Sequence, residues 1–506
     1  MKSRTHYSVL NSTTSAAVYM IKLLIGFVSR TFFIKYLGSE YLGLNGLFTN
    51  ILSFLSLAEL GIGTTIVYEL YKPLATRNIE EINAFMGLYK KAYDIIGIAI
   101  GVLGMGVIPF LPIIVGHNVT IHNIPLLYVL FLANSVVSYF FTYKRSILNA
   151  DQQNYKVIIN DFVFYVIVSI IQIVLLIYTS NFTLYLTVQI AFTLISNISI
   201  SIIADKQYPF LAKSSSYKLP KSKVKELAKN VFGNLSSQIG AIVVLGSDNI
   251  LISMFVGLSA VGLYSNYTLI TNAVKSLLQQ VTNSITASIG NLLTDSNKER
   301  HYNVFNLYLF VNSSLVFLVY IGLFGMLNPF ITIWIGKKYL FSEYTVMLIV
   351  LSIATLNYQS TVRNFSSAYG LFWEQRWKPI FEALLNILFS LFFLMVMKLQ
   401  IDGVLLGTTF STLFVDFWYE PFIVFKYGFR RSAKQYFVRT IIFYIKFIIA
   451  IIAVHCLSLF FMVTGLKSFI IYLFVFSVTL LLIYLILFGP TKEFSVILNK
   501  VLKKKS

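Results

Sequence analysis

Long apolar runs separated by short polar breaks dominate the chain. Read at about twenty residues per crossing of a roughly 30 Å hydrocarbon core, they predict fourteen helical spans. These lie near 9–34, 42–70, 84–110, 123–147, 156–178, 182–203, 226–252, 260–290, 300–328, 342–368, 377–397, 401–424, 437–460 and 466–488, with the shortest breaks at 178/182 and 397/401. The runs are continuous and do not alternate every second residue, so the spans are helices and not the strands of an outer-membrane barrel. The expected fold is an all-α integral membrane protein.

Composition agrees with that pattern. Of 506 residues, 57% are hydrophobic and 12% charged, about half the charge a soluble domain carries. A soluble enzyme and a single-helix anchored receptor are both excluded. The net charge of +20 would suggest nucleic acid on a soluble chain. Here its distribution assigns it to topology. With the N-terminus inside, 31 of the 40 Lys and Arg fall in cytoplasmic segments, five in outward ones and four within spans. The positive-inside rule then places both termini in the cytoplasm and leaves no call for a nucleic-acid partner. The opening MKSRTHYSVLNSTTS has no small-residue cleavage site, so the first apolar run reads as a retained span. The lone Cys456 can form no intrachain disulfide.

No catalytic motif competes with transport. There is no GxxxxGK[ST] phosphate loop, and the histidines His6, His117, His122, His301 and His455 are scattered with no HExxH. The reading therefore includes no catalytic residue, no metal and no cofactor, and takes the chain not to be an enzyme.

The chain contains an internal repeat. Residues 36–44 read YLGSEYLGL and residues 255–263 read FVGLSAVGL, an offset of 219 at the junction of the first two spans of each half. Two halves separated by an even number of spans insert in parallel, which implies a pseudo-two-fold axis along the membrane normal. The expected organisation is an N-lobe of six helices over 1–212, a basic cytoplasmic linker at 213–225, a C-lobe of six over 226–432, and two further helices with a basic tail over 433–506. Two such lobes would enclose a central cavity and suit alternating access.

Polar residues inside spans mark the candidate cavity wall. The eighth span carries Thr268, Asn272, Lys275, Gln279, Thr282 and Thr286 at spacings of four and three, one continuous face. Weaker stripes run along the first span, through Asn11, Ser15, Lys22, Gly26 and Arg30, and the second, through Asn45, Thr49, Ser56 and Glu59. A lysine in a low-dielectric cavity needs a counter-charge. Lys22 and Lys275 either pair with Glu59 at rest or wait for an anionic substrate. Arg30 is either an interface arginine or part of an outward anion site. Arg363 continues a polar face with Ser352, Gln359 and Ser367 near the inner end of the tenth span. Asp416 and Glu420 precede Lys426, Arg430 and Arg431, and pairing with them at the interface is the plainer account. Lys446 is explained equally by snorkelling, local pairing or a lipid groove.

The stretch RTFFIKYLGSEYLGLNGLFTNILSFLSLAELGIGTTIVYELYKPLA, residues 30–75, resembles the opening of the polysaccharide transporter family. These are oligosaccharide flippases of the multidrug/oligosaccharidyl-lipid/polysaccharide exporter superfamily. The matching features are Arg30, Tyr36–Gly38, Leu42–Gly43, and Glu59–Gly61 with Gly63. The resemblance implies a multi-pass protein of the bacterial cytoplasmic membrane. It would move an undecaprenyl-pyrophosphate-linked oligosaccharide from the inner to the outer leaflet for cell-surface polysaccharide synthesis, with the polyprenyl tail left in lipid. It implies membrane lipids and a lipid-linked glycan as partners, with glycan polymerases or glycosyltransferases nearby. Related lipid II flippases use cavity cations, which gives that role here to Lys22, Arg30 and Lys275, with Arg363 contacting a headgroup entering from inside. Glu59 is the candidate charge partner or coupling residue for H+ or Na+. A cation-coupled multidrug antiporter is the first alternative, although a cationic drug would favour cavity carboxylates. A nontransporting scaffold for polysaccharide assembly is the second.

Overall fold

The computed structural model describes residues 4–59, 62–116, 119–212, 219–225, 227, 231, 246–292, 297–371 and 373–503. The chain clusters into two compact units, Met1–Gly262 and Leu263–Ser506.

In the first unit α1 runs from Arg4 to Leu55 and bends at Gly38, whose φ of 86° and ψ of −178° suit only glycine. The predicted break between the first two spans falls here, where two helices meet at the non-helical Gly38. The second predicted span is itself interrupted: a tight turn over Ser56–Glu59 separates α1 from α2 (Ile62–Thr76). The Ser56–Glu59 part of the proposed second stripe thus sits on a break, not on a regular helical face. Next come α3 (Ile79–Val107), α4 (Ile124–Ala150), α5 (Asn154–Thr179) and α6 (Phe182–Gln207). The very short α5–α6 connection works because Ser180 turns left-handed at φ 47°. Asn181 then caps α6 by accepting from the Leu184 amide at 3.1 Å. α5 packs on α1 and α6, and α4 on α3 and α6. Gly257, 219 residues after Gly38, also has positive φ, at 121°. Most of the seventh predicted span and residues 213–218 of the basic linker lie outside the described residues.

α7 (Leu258–Leu292) crosses from one unit into the next. The second unit continues with α8 (Lys298–Trp334), α9 (Glu343–Tyr358), α10 (Ser360–Ala368), α11 (Lys378–Leu391) and α12 (Gln400–Val415). A further short helix, Tyr419–Ile423, precedes α13 (Lys434–Ser458), α14 (Leu466–Phe488) and α15 (Lys492–Lys503). α12 packs on α11 and α9, while α8 packs on α9, α13 and α14.

The helices are inside-out by the standards of a water-soluble bundle. On α13, Ile441, Ile445, Ile448 and Ile452 are about half exposed, whereas Thr440, Phe443, Phe447 and Val454 are buried. An outer face of isoleucine is stable only against hydrocarbon. Among the described residues nine helices are long and apolar enough to cross a membrane, ten if the bent pair 124–140 and 142–150 counts as one span. No strand occurs among the described residues. The protein is an all-α, multi-pass membrane protein.

Candidate functional site

The first unit holds an open polar pocket of about 370 Å³ lined by α1, α5 and α6 together with Arg145 of α4. Lys22 enters it from α1, its Nζ 5.3 Å from the centre of the Tyr165 ring, a cation–π contact. The Tyr165 hydroxyl donates to the Lys22 carbonyl at 3.4 Å.

A second cation is held firmly. Arg145 donates to Asp161 Oδ2 at 2.6 Å and to Asn197 Oδ1 at 2.6 Å. Asn160 donates to the Ser196 hydroxyl and carbonyl at 3.0 and 3.1 Å, tying α5 to α6 behind the pair. Gln172 donates to the Tyr185 carbonyl at 3.1 Å. Arg30 interacts electrostatically with Tyr185, which also lines the cavity. The wall thus offers cations, amides and hydroxyls around one volume. That is the inventory for binding an anionic group together with hydroxylated rings.

The other sequence candidates fall out as follows. Asn11 is a staple: its amide donates to the Gln152 carbonyl at 2.8 Å and its Oδ1 accepts from the Tyr155 amide at 2.8 Å. Ser15 is exposed. The hydroxyls of Thr49, Ser56 and Thr268 donate to Asn45, Ser53 and Ser265 carbonyls at 2.7, 2.9 and 3.2 Å, the usual way such residues travel in apolar helices. Asn272 and Gln279 are exposed along α7, and the side chain of Thr282 lies outside the described residues.

Glu59 is held by phenols. Tyr93 donates to its Oε1 at 2.8 Å and Tyr89 donates to Tyr93 at 3.1 Å, with the Tyr139 ring 6.0 Å from that of Tyr93.

In the second unit Lys275 lies within repulsive range of Arg363. Arg363 is anchored by donation to the Leu356 carbonyl and stands 3.7 Å from Asp416. Asp416 and Glu420 do not pair with Lys426, Arg430 or Arg431, as the sequence suggested. Lys378 lies between them, 3.0 Å from Asp416 and 2.6 Å from Glu420, all three nearly inaccessible. Burial demanded a partner on a packed helix, and the solvent-facing basic segment cannot supply one.

Sequence reasoning passed over Arg145, Asp161, Gln172, Tyr165, Tyr185 and Asn197. A signal was present: Asp161, Tyr165, Ser169 and Gln172 recur at four, four and three along α5, and Gln189, Thr193 and Asn197 at four and four along α6. Arg145 counted as a loop charge, but α4 carries it inside the bundle.

Several solved structures share this fold. The lipid II flippase MurJ in an inward closed conformation superposes with a TM-score of 0.67 at 17% identity, covering 98% of this chain and 99% of that one. An inward-facing multidrug resistance MATE family transporter of the MOP superfamily gives 0.59 at 15% identity, covering 81% and 98%. A MOP superfamily transporter from Pyrococcus furiosus, described as having a binding pocket of reverse polarity, gives 0.55 at 14%, covering 85% and 100%. No protein-family model and no curated protein matches the sequence. The fold is that of these transporters.

Proposed function

We propose that this protein is a flippase that carries a polyprenyl-pyrophosphate-linked oligosaccharide across the bacterial cytoplasmic membrane by alternating access. The observation that carries the reading is the extent of the fold likeness. The flippase structure is matched over 98% of this chain, the MATE family transporter over 81% and the Pyrococcus furiosus MOP superfamily transporter over 85%. On this reading the chain has fourteen spans, two parallel six-helix lobes over 1–212 and 226–432 joined by the basic linker 213–225, two added helices beyond 433, and both termini in the cytoplasm.

The cavity chemistry supports an anionic, sugar-bearing cargo. Lys22 contributes a cation that lies against an aromatic face, and a pyrophosphate rewards such a charge with short charge-assisted bonds. Gln172, Gln189, Thr193 and Asn197 offer amides and hydroxyls to sugar rings. On this reading Arg30 adds a cation within the first unit, and Lys275 and Arg363 supply cations within the second. Glu59 serves as the ion-coupling residue. No cofactor takes part.

The test is native mass spectrometry of the purified protein in nanodiscs made with lipid extract from its host. A retained mass equal to a polyprenyl-pyrophosphate oligosaccharide, lost in Lys22→Ala, supports the reading and identifies the glycan. Retention of ordinary phospholipid alone, with saturable binding of a cationic drug, replaces it with the antiporter reading.

A further inference from the structure

The second unit carries a groove that the proposed transport does not use. It has a volume of about 170 Å³ and lies where α8, α9 and α13 meet the end of α14. Its floor is aromatic: Tyr358 stacks on Phe443 with ring centres 4.4 Å apart, and Phe310 meets Phe488 edge-on at 6.2 Å.

The mouth is cationic. Lys446 is the central residue of α13, yet its ammonium comes to 4.5 Å from the ring centre of Phe488, the last residue of α14. A lysine stem laid along an aromatic wall to bring its charge to a helix end is snorkelling toward the headgroup layer. Arg439, about two turns nearer the start of α13, donates to Asn306 Oδ1 at 3.1 Å and pairs with Glu493 at 3.0 Å. Glu493 also acts electrostatically on Lys446. One carboxylate therefore faces two cations, leaving a surplus of one positive charge at the mouth of an aromatic groove.

Glu493 belongs to the first turn of α15, whose sequence KEFSVILNKVLK alternates apolar and basic positions with helical period. Such a helix lies in the plane of a membrane interface. Phe494 docks it against Tyr484 with ring centres 6.3 Å apart. The carboxylate on Arg439 is thus delivered by a surface helix at the level where lipid phosphates lie.

From this geometry we infer that the groove binds the phosphate of an anionic phospholipid, which bridges Arg439 and Lys446 while an acyl chain follows the aromatic floor and Ile442. Glu493 is the internal competitor for Arg439. A phosphodiester brings the single negative charge that the site is short of, and Arg439 presents donors in the fork geometry that phosphate oxygens accept.

The experiment uses the full chain in phosphatidylcholine nanodiscs titrated with phosphatidylglycerol, read by native mass spectrometry under activation that strips bulk lipid. The parent retains one phosphatidylglycerol. Arg439→Gln with Lys446→Met weakens that retention about tenfold or more, Lys446→Arg preserves it, and Glu493→Gln strengthens it severalfold. Because the last two variants move in directions that unfolding cannot mimic, a fold defect in the double variant does not remove the test. Unchanged retention in a folded double variant, or weaker retention in Glu493→Gln, overturns the inference. A parallel titration with polyprenyl monophosphate separates the lipid sources: preference for it over phosphatidylglycerol overturns the phospholipid assignment.

Discussion

Gly43 and Gly262, which are 219 residues apart, pack against each other as reciprocal partners. A Cβ on Gly43 would stand 1.9 Å from the Leu258 carbonyl oxygen, and one on Gly262 would stand 2.1 Å from that of Ser39. Ser39 and Leu258 are themselves 219 apart, so each copy of the repeated segment presents the same groove to the other. Backbone this close admits only glycine at the crossing, the small-residue solution that membrane helices use where hydrophobic burial gives no advantage. Gly43→Ala should therefore cost about 1–3 kcal/mol and lower the melting temperature in detergent. Gly262→Ala should do the same. The control is Gly106→Ala, where a Cβ meets nothing within 4 Å, and it should melt like the parent.

Lys22 and Tyr165 give a graded test of the cavity. Lys22→Ala should reduce lipid-linked oligosaccharide flipping in proteoliposomes at least tenfold, and Lys22→Arg should retain most of it. Tyr165→Phe keeps the ring that faces the ammonium and should stay within about threefold of the parent. Tyr165→Leu removes a cation–π contact worth roughly 0.5–2 kcal/mol and should fall further. Equal flux in Lys22→Ala and the parent would remove Lys22 from the substrate path.

The Lys378 cluster makes a prediction about stability in place of flux. Lys378→Met strands Glu420 and leaves Asp416 only the more distant Arg363 at 3.7 Å, both carboxylates being about 1% exposed, and breaking a buried pair in this way costs about 3–5 kcal/mol. The triple variant Lys378→Met/Asp416→Asn/Glu420→Gln removes the stranded charges and should recover most of that loss. Thermal melts of the two variants beside the parent decide it. A triple variant no better than the single one would show that the lysine stem, and not its charge, holds the site together.

How much of this was legible in the sequence depended on how local the physics was. The last span, 466–488, was read with both ends where the structure puts them, because an unbroken apolar run needs no tertiary information. The α5–α6 break was readable for the same reason, as Ser-Asn supplies both the left-handed turn and the cap. The break at Ser56–Glu59 was not, because hydropathy continues across it while the backbone does not. Arg145 and Lys378 were counted among loop charges, and only the packing of α4 and α11 reveals that each is enclosed with its carboxylates. Helical spacing can place residues on one face. Which face meets which neighbour is decided between helices, where single-sequence periodicity carries no signal.

Glu59 separates coupling from architecture. Its carboxylate accepts a phenol hydrogen bond from Tyr93 at 2.8 Å, beside the tight turn that ends α1, so it has a structural task whatever else it does. Glutamine keeps an acceptor oxygen of the same reach and discards the charge. Glu59→Gln should thus melt within a few degrees of the parent. Tyr93→Phe, which removes the donor to a charged acceptor, should lose about 1.5–3 kcal/mol. If Glu59 binds the coupling ion, flipping by Glu59→Gln in proteoliposomes becomes indifferent to imposed proton and sodium gradients, while the parent still responds to one of them. A Glu59→Gln variant whose flux still follows the same gradient as the parent leaves the residue as the anchor of a tyrosine cluster and moves the search for coupling elsewhere. The two readouts are independent, since the melt reports the hydrogen bond and the gradient response reports the charge.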